Sequence, residues 1–162
     1  VNRIALHYVA AVVSTINGLP AHPLLVHAVV VLLPLGALAV VLHVLWPAAR
    51  ARLGLVTPSL CVAALVFVPL ATSAGDHLAD SLGGTNPLIE RHEELADQIL
   101  PWAIALAVAA VAQWLLGRRP PLALAVRIPV GAVSVIVAVI ATIVLVRAGD
   151  AGSRAVWEGV KS

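Results

Sequence analysis

Of the 162 residues, 61% are apolar and only 11% are charged, and the mean hydropathy is +1.03. A soluble fold of this size cannot bury that much apolar surface, so the bilayer must act as solvent and an ordinary soluble domain is excluded. The pI is near 9.3, yet the net charge is only +2 and no basic run interleaves with aromatics, which argues against a nucleic-acid partner.

Residues 1–16 contain Arg3 and a short apolar stretch. Asn17-Gly18-Leu19-Pro20 follows, which reads as a turn rather than a small-residue cleavage site. Residues 1–16 are therefore expected to form an N-terminal arm, amphipathic or poorly ordered, and Val1 in place of Met is consistent with a mis-assigned start. Residues 17–162 are expected to form one domain.

The first apolar run, 24–46, is long enough to cross a bilayer; it opens after His22-Pro23 and contains Pro34. The second run is 55–74, with Pro58 near its start and Pro69 near its end, and Gly75 is expected to stop it. Ser81 to Pro87 reads as a loop, and 88–97 reads as a short helix leading into the third run, 99–117. The fourth is about 126–146, with Arg127 reaching back to the interface. No internal sequence repeat is evident. The expected fold is all-α, an integral membrane four-helix bundle running up-down-up-down with short links. Ala105, Ala109 and Ala112 on the third helix, and Ser134, Ala138 and Thr142 on the fourth, form small-residue stripes suited to close helix contact.

The links after the first and third spans hold Arg50, Arg52, Arg118, Arg119 and Arg127 and no acid. The link after the second span holds Asp76, Asp80, Glu90, Glu93, Glu94 and Asp97 against Arg91. The bias of arginine toward the cytoplasm puts the two basic turns inside, and both termini and the acidic loop outside. Trp46 and Trp114 flank the basic turns and Trp102 lies at the other boundary, as an aromatic belt requires.

An antiparallel bundle collects His22, His27, His77 and His92 at the acidic end, with Asp76 and Asp150 among the acids there. His43 falls near the basic end and His7 in the arm. Imidazoles bind transition metals, and histidines on facing helices hold b-type haem, with carboxylates orienting the rings. His22, His27, His77 and His92 are the candidate cofactor ligands, and His27, His92, Asp76 and Asp150 the candidate metal set. His27 has the strongest case, since it lies deepest in an apolar run. A plain structural reading competes, in which these side chains cap helices or sit at the interface. Cys61 is the only cysteine, which excludes an intrachain disulfide, a CxxC site and c-type haem attachment. No HExxH, GxSxG or phosphate-loop motif is present, so hydrolase and kinase chemistry has no support.

Four segments carry a family resemblance: Ile16-Asn17-Gly18-Leu19-Pro20-Ala21-His22-Pro23-Leu24-Leu25-Val26-His27, Pro69-Leu70-Ala71-Thr72-Ser73-Ala74-Gly75-Asp76, Glu90-Arg91-His92-Glu93-Glu94-Leu95-Ala96-Asp97, and Val146-Arg147-Ala148-Gly149-Asp150-Ala151-Gly152-Ser153-Arg154-Ala155-Val156-Trp157. Together they resemble the DUF2231 family of bacterial membrane proteins over about residues 14–160. The resemblance implies a four-helix membrane domain that occurs alone or fused to redox modules, without an established activity. Relatives tend to carry Gly-His-Ser-Gly where this chain has Gly149-Asp150-Ala151-Gly152. If that histidine is a ligand, Asp150 replaces it with an oxygen donor or the site is altered here. The expected role is a haem- or metal-binding electron-transfer or accessory subunit in the bacterial cytoplasmic membrane, with lipid and a redox membrane complex as partners. The alternatives are a structural or interaction protein without a cofactor, and a small proton-coupled carrier.

Overall fold

A computed structural model describes residues 15–16, 18–81, 83, 86–118 and 124–158. The expected arm up to residue 14, the centre of the 81–87 loop, and Arg119, Pro120 and Pro121 of the basic turn lie outside the described residues.

Strands β1 (Thr15–Ile16) and β2 (Leu19–Pro20) pair antiparallel, with Thr15 opposite Pro20 and Ile16 opposite Leu19. The turn between them places Gly18 at φ 78°, the left-handed region that glycine enters without steric cost. The last residue expected in the arm, Ile16, thus takes part in a small hairpin that leads into the first helix.

Among the described residues six helices follow: α1 (Ala21–Leu45), α2 (Pro47–Leu53), α3 (Val56–Ser81), α4 (Pro87–Asp97), α5 (Ile99–Gly117) and α6 (Leu124–Trp157). Four segments are long and apolar enough to cross a bilayer: α1, α3, α4 continuing into α5, and α6. The all-α four-helix reading therefore holds. The most extensive packing is between α1 and α3; α3 also packs on α5, α5 on α6, and α6 on α1, which closes an antiparallel ring. Amphipathic α4 lies against α6. Asn86 starts α4, its Oδ1 accepting from the Leu88 and Ile89 N–H groups, with Pro87 at the first helical position.

The ring closes on small side chains. Cys61, Ala64, Ala71 and Ala74 of α3 and Ser134, Ala138, Ala141 and Ala148 of α6 are buried in it. On α5 the buried stripe is Ala103, Ala107 and Ala110. Ala105, Ala109 and Ala112 are only half-buried, a rotation away from the stripe expected there. Alanine fills both faces of α5, so its own period could not say which face meets α3. The centre of the α1–α3 contact is Gly36, where a Cβ would come within 2.9 Å of Cys61 Sγ. In lipid, where apolar burial offers no gain, such close backbone approach is the main source of helix association.

Two helices overrun their apolar spans. Gly75 does not stop α3, which continues to Ser81, and α6 continues from Val146 to Trp157. A helix of 34 residues is about 51 Å long against a hydrocarbon core of about 30 Å, so α6 is longer than that core is thick. Both overruns are at the acidic end.

Candidate functional site

At the acidic end, two histidines from different helices make the same contact with two different neighbours. His22, in the first turn of α1, puts its Nδ1 2.8 Å from the Ala71 carbonyl oxygen of α3. His92 of α4 puts its Nδ1 2.9 Å from the Ala148 carbonyl oxygen of α6. Four residues beyond each accepting carbonyl stands a glycine, Gly75 in α3 and Gly152 in α6. A Cβ at Gly75 would lie 2.9 Å from His22 Cε1 and 3.0 Å from its Nδ1, and a Cβ at Gly152 would meet His92 Cε1 and Nδ1 at the same two distances.

The spacing has a physical cause. In an α-helix the carbonyl of residue i points toward residue i+4, whose N–H it accepts. The side chain of i+4 leans back over that carbonyl and shields it from the side. With glycine at i+4 the carbonyl is laterally open, and its second lone pair can accept from another helix. Each Ala-x-x-x-Gly stretch is therefore a seat for one imidazole edge. The seats are a structural repeat of two, and both stretches read Ala-x-x-Ala-Gly, with Ala74 and Ala151 recurring beside the two glycines.

The seats also determine the tautomer. A carbonyl oxygen only accepts, so Nδ1 must carry the hydrogen and donate it. In the neutral ring Nε2 then holds the lone pair. Both rings are half-buried, with ring orientation fixed by the seat.

The other sequence candidates are placed differently. His27 is exposed on the outer surface of α1, with its Nδ1 hydrogen-bonded to the Pro23 carbonyl one turn back on its own helix. His77 is half-buried beside Asp76. Asp76 is exposed, within electrostatic reach of Asp97, His77, Asp80 and His22. Asp150, also exposed, pairs with Arg154 at 3.0 Å rather than turning toward His92. Among the described residues, no three His, Cys, Asp or Glu side chains converge as a metal-ion cluster, so His27, His92, Asp76 and Asp150 are not drawn into one.

The basic end holds a residue that the sequence set aside. His43 is 3% exposed, the most buried of the described histidines, and its two ring nitrogens make no well-formed hydrogen bond among the described residues, although the Gln113 backbone is close by. Thr57 Oγ1 is likewise buried and unpartnered there. The signal available in the sequence was a histidine inside a run otherwise apolar from Ala28 to Trp46, but nothing local distinguished an inward from an outward face.

Residues 18–161 match the family described as "Predicted membrane protein (DUF2231)", nearly the whole chain, and the chain belongs to that family. No curated protein and no solved structure matches it.

Proposed function

We propose that this DUF2231 chain is a haem-binding electron-transfer or accessory subunit of a membrane redox complex, with His22 and His92 as the residues that would hold the haem. One observation carries the reading: two seats, on separate helix pairs, hold two imidazoles in the Nδ1–H form and leave Nε2 as the basic nitrogen. Ligating histidines commonly have this arrangement, since donation of the second ring N–H to a carbonyl fixes ring orientation and raises ligand basicity.

The donor set favours haem over a bare ion. A transition-metal ion draws about four ligands from a protein, and no cluster of three gathers among the described residues. A porphyrin brings four nitrogens of its own and asks the chain for one or two imidazoles. Bound haem would supply one-electron chemistry. The chain's part is to orient the imidazoles, hold their tautomer, and keep the Asp76 carboxylate, with Asp80 and Asp97 near it, within electrostatic reach of His22. Negative charge there favours the oxidised form of any cofactor in reach and lowers its potential. His27 and His77 are the reserve donors. The arginine bias of the links puts this end on the outer side of a bacterial cytoplasmic membrane, with both termini.

A second reading has its own observation. Each seat ties two helices together, α1 to α3 and α4 to α6, so the imidazoles serve as fasteners and the acidic end is a docking face. Purification in mild detergent from haem-replete cells separates the two. A Soret band is expected in the wild type, abolished or shifted by His22→Ala or His92→Ala. His92→Asn keeps a hydrogen-bond donor for Ala148 but is no haem ligand, so the band should be lost while the fold survives. A colourless, metal-free wild type would overturn the cofactor reading. A reporter active only in the cytoplasm, fused at either terminus, should be silent; activity would reverse the orientation.

A further inference from the structure

The basic end contains a half-open cavity of about 530 Å³ between the end of α1 and the start of α6. Its walls are mainly apolar, with Leu45, Leu124, Ile128 and Ile136 among them, and its polar groups are Arg50, Arg127 and Gln113. Two guanidinium groups in one apolar-walled cavity repel each other: burial and the nearby Arg127 charge both pull Arg50 below the usual arginine range. No acid relieves them. All eight Asp and Glu residues of the chain lie at or beyond the opposite end of the bundle. Among the described residues the ion pairs involve only Arg91 and Arg154.

Arg50 is held in place at the end of α1, and Arg127 is exposed. Arg50 Nε donates to the His43 carbonyl at 2.8 Å and its Nη2 to the Val44 carbonyl at 3.1 Å, so it caps the last turn of α1 and its fork is fixed in place. Arg127 is in the first turn of α6, where free backbone N–H groups already favour an anion and a cation is out of place. Gln113 is held by its Nε2 donating to Ser134 Oγ at 3.0 Å.

We propose that this cavity binds an anionic phospholipid, its phosphate between Arg50 and Arg127 and an acyl chain along the apolar wall. The charge calls for an anion with the planar, multi-oxygen face that guanidinium recognises. The apolar wall selects lipid over a free ion, because inorganic phosphate has nothing to place against Leu124, Ile128 and Ile136. Basic pockets between helices near one membrane surface are suited to such headgroups.

Native mass spectrometry of the detergent-purified full chain tests this, with equimolar phosphatidylglycerol and phosphatidylcholine of matched acyl chains. The expected result is about a tenfold enrichment of the phosphatidylglycerol adduct, the order of effect of two basic side chains on one anionic headgroup. Arg127→Gln, an exposed residue with no ion pair among those described, should fold normally and cut the preference to about threefold, the share of the one arginine that remains. Ala132→Trp, which fills the cavity without touching a charge, should lower both adducts. Equal adducts in the wild type, or a full tenfold preference that survives in Arg127→Gln, would overturn the proposal. Displacement of phosphatidylglycerol by inorganic phosphate at equal concentration would also overturn it, in favour of a free-anion site.

Discussion

The two ends of the bundle are built on opposite principles. At the acidic end, side chains lock onto backbone: His22 and His92 each use a helix carbonyl that a glycine has uncovered. At the basic end, Arg50 caps carbonyls that are free only because α1 stops there, and Arg50 and Arg127 share a cavity with no counter-charge. The first end is complete as it stands and fixes two imidazoles with Nδ1 as the donor. The second is left with positive charge that something else must neutralise. A small membrane bundle thus reaches specificity by two routes, through a keyed contact that dictates one register and through a charged cavity that dictates one kind of neighbour.

The comparison breaks most severely if the seats are filled. Gly75→Val and Gly152→Val each put carbon within about 3 Å of a ring edge. Each should displace the imidazole and cost about 2–3 kcal/mol in reversible unfolding from mixed micelles, as overpacking does. The two should add, since they lie on separate helix pairs. A double variant no worse than either single would mean that the seats are one unit.

Arg50→Gln tests the other end. It removes the cap from the His43 and Val44 carbonyls and should cost about 1 kcal/mol in the same measurement, leaving any Soret band unchanged. A spectral change would couple the two ends.

Gly149→Ala gives the smallest effect and the sharpest control. Gly149 stands in the same helix three residues before Gly152, but no atom lies within 4 Å of its would-be Cβ. Alanine there should stabilise α6 by up to about 1 kcal/mol through helix propensity alone. Destabilisation at Gly149 would mean that glycine serves α6 in some way other than as a seat.

These contrasts also mark how far the sequence could be read. His22 and His92 were visible as candidates, since the alternation of spans sends both to one end. Gly75 read as a helix stop because a glycine after an apolar run usually is one. Its actual use depends on a histidine 53 positions earlier, and no local pattern carries that information. His27 drew attention by its depth in an apolar run, yet it is exposed while His43 is buried. Helix α1 is apolar on every face, so periodicity could not assign its sides.

What the sequence determined by itself was the number of membrane helices, their order, and the separation of eight acids from five arginines at opposite ends. Hydropathy and charge act locally, since each segment partitions into lipid or water on its own composition. The tertiary structure alone decided which faces meet, that Gly75 and Gly152 seat histidines, that Ala103, Ala107 and Ala110 form the contact stripe of α5, and that Arg50 and Arg127 share one cavity. In lipid every apolar face is equally soluble, so helices choose one another by shape and by uncovered backbone groups, and those come into being only when two helices are brought together.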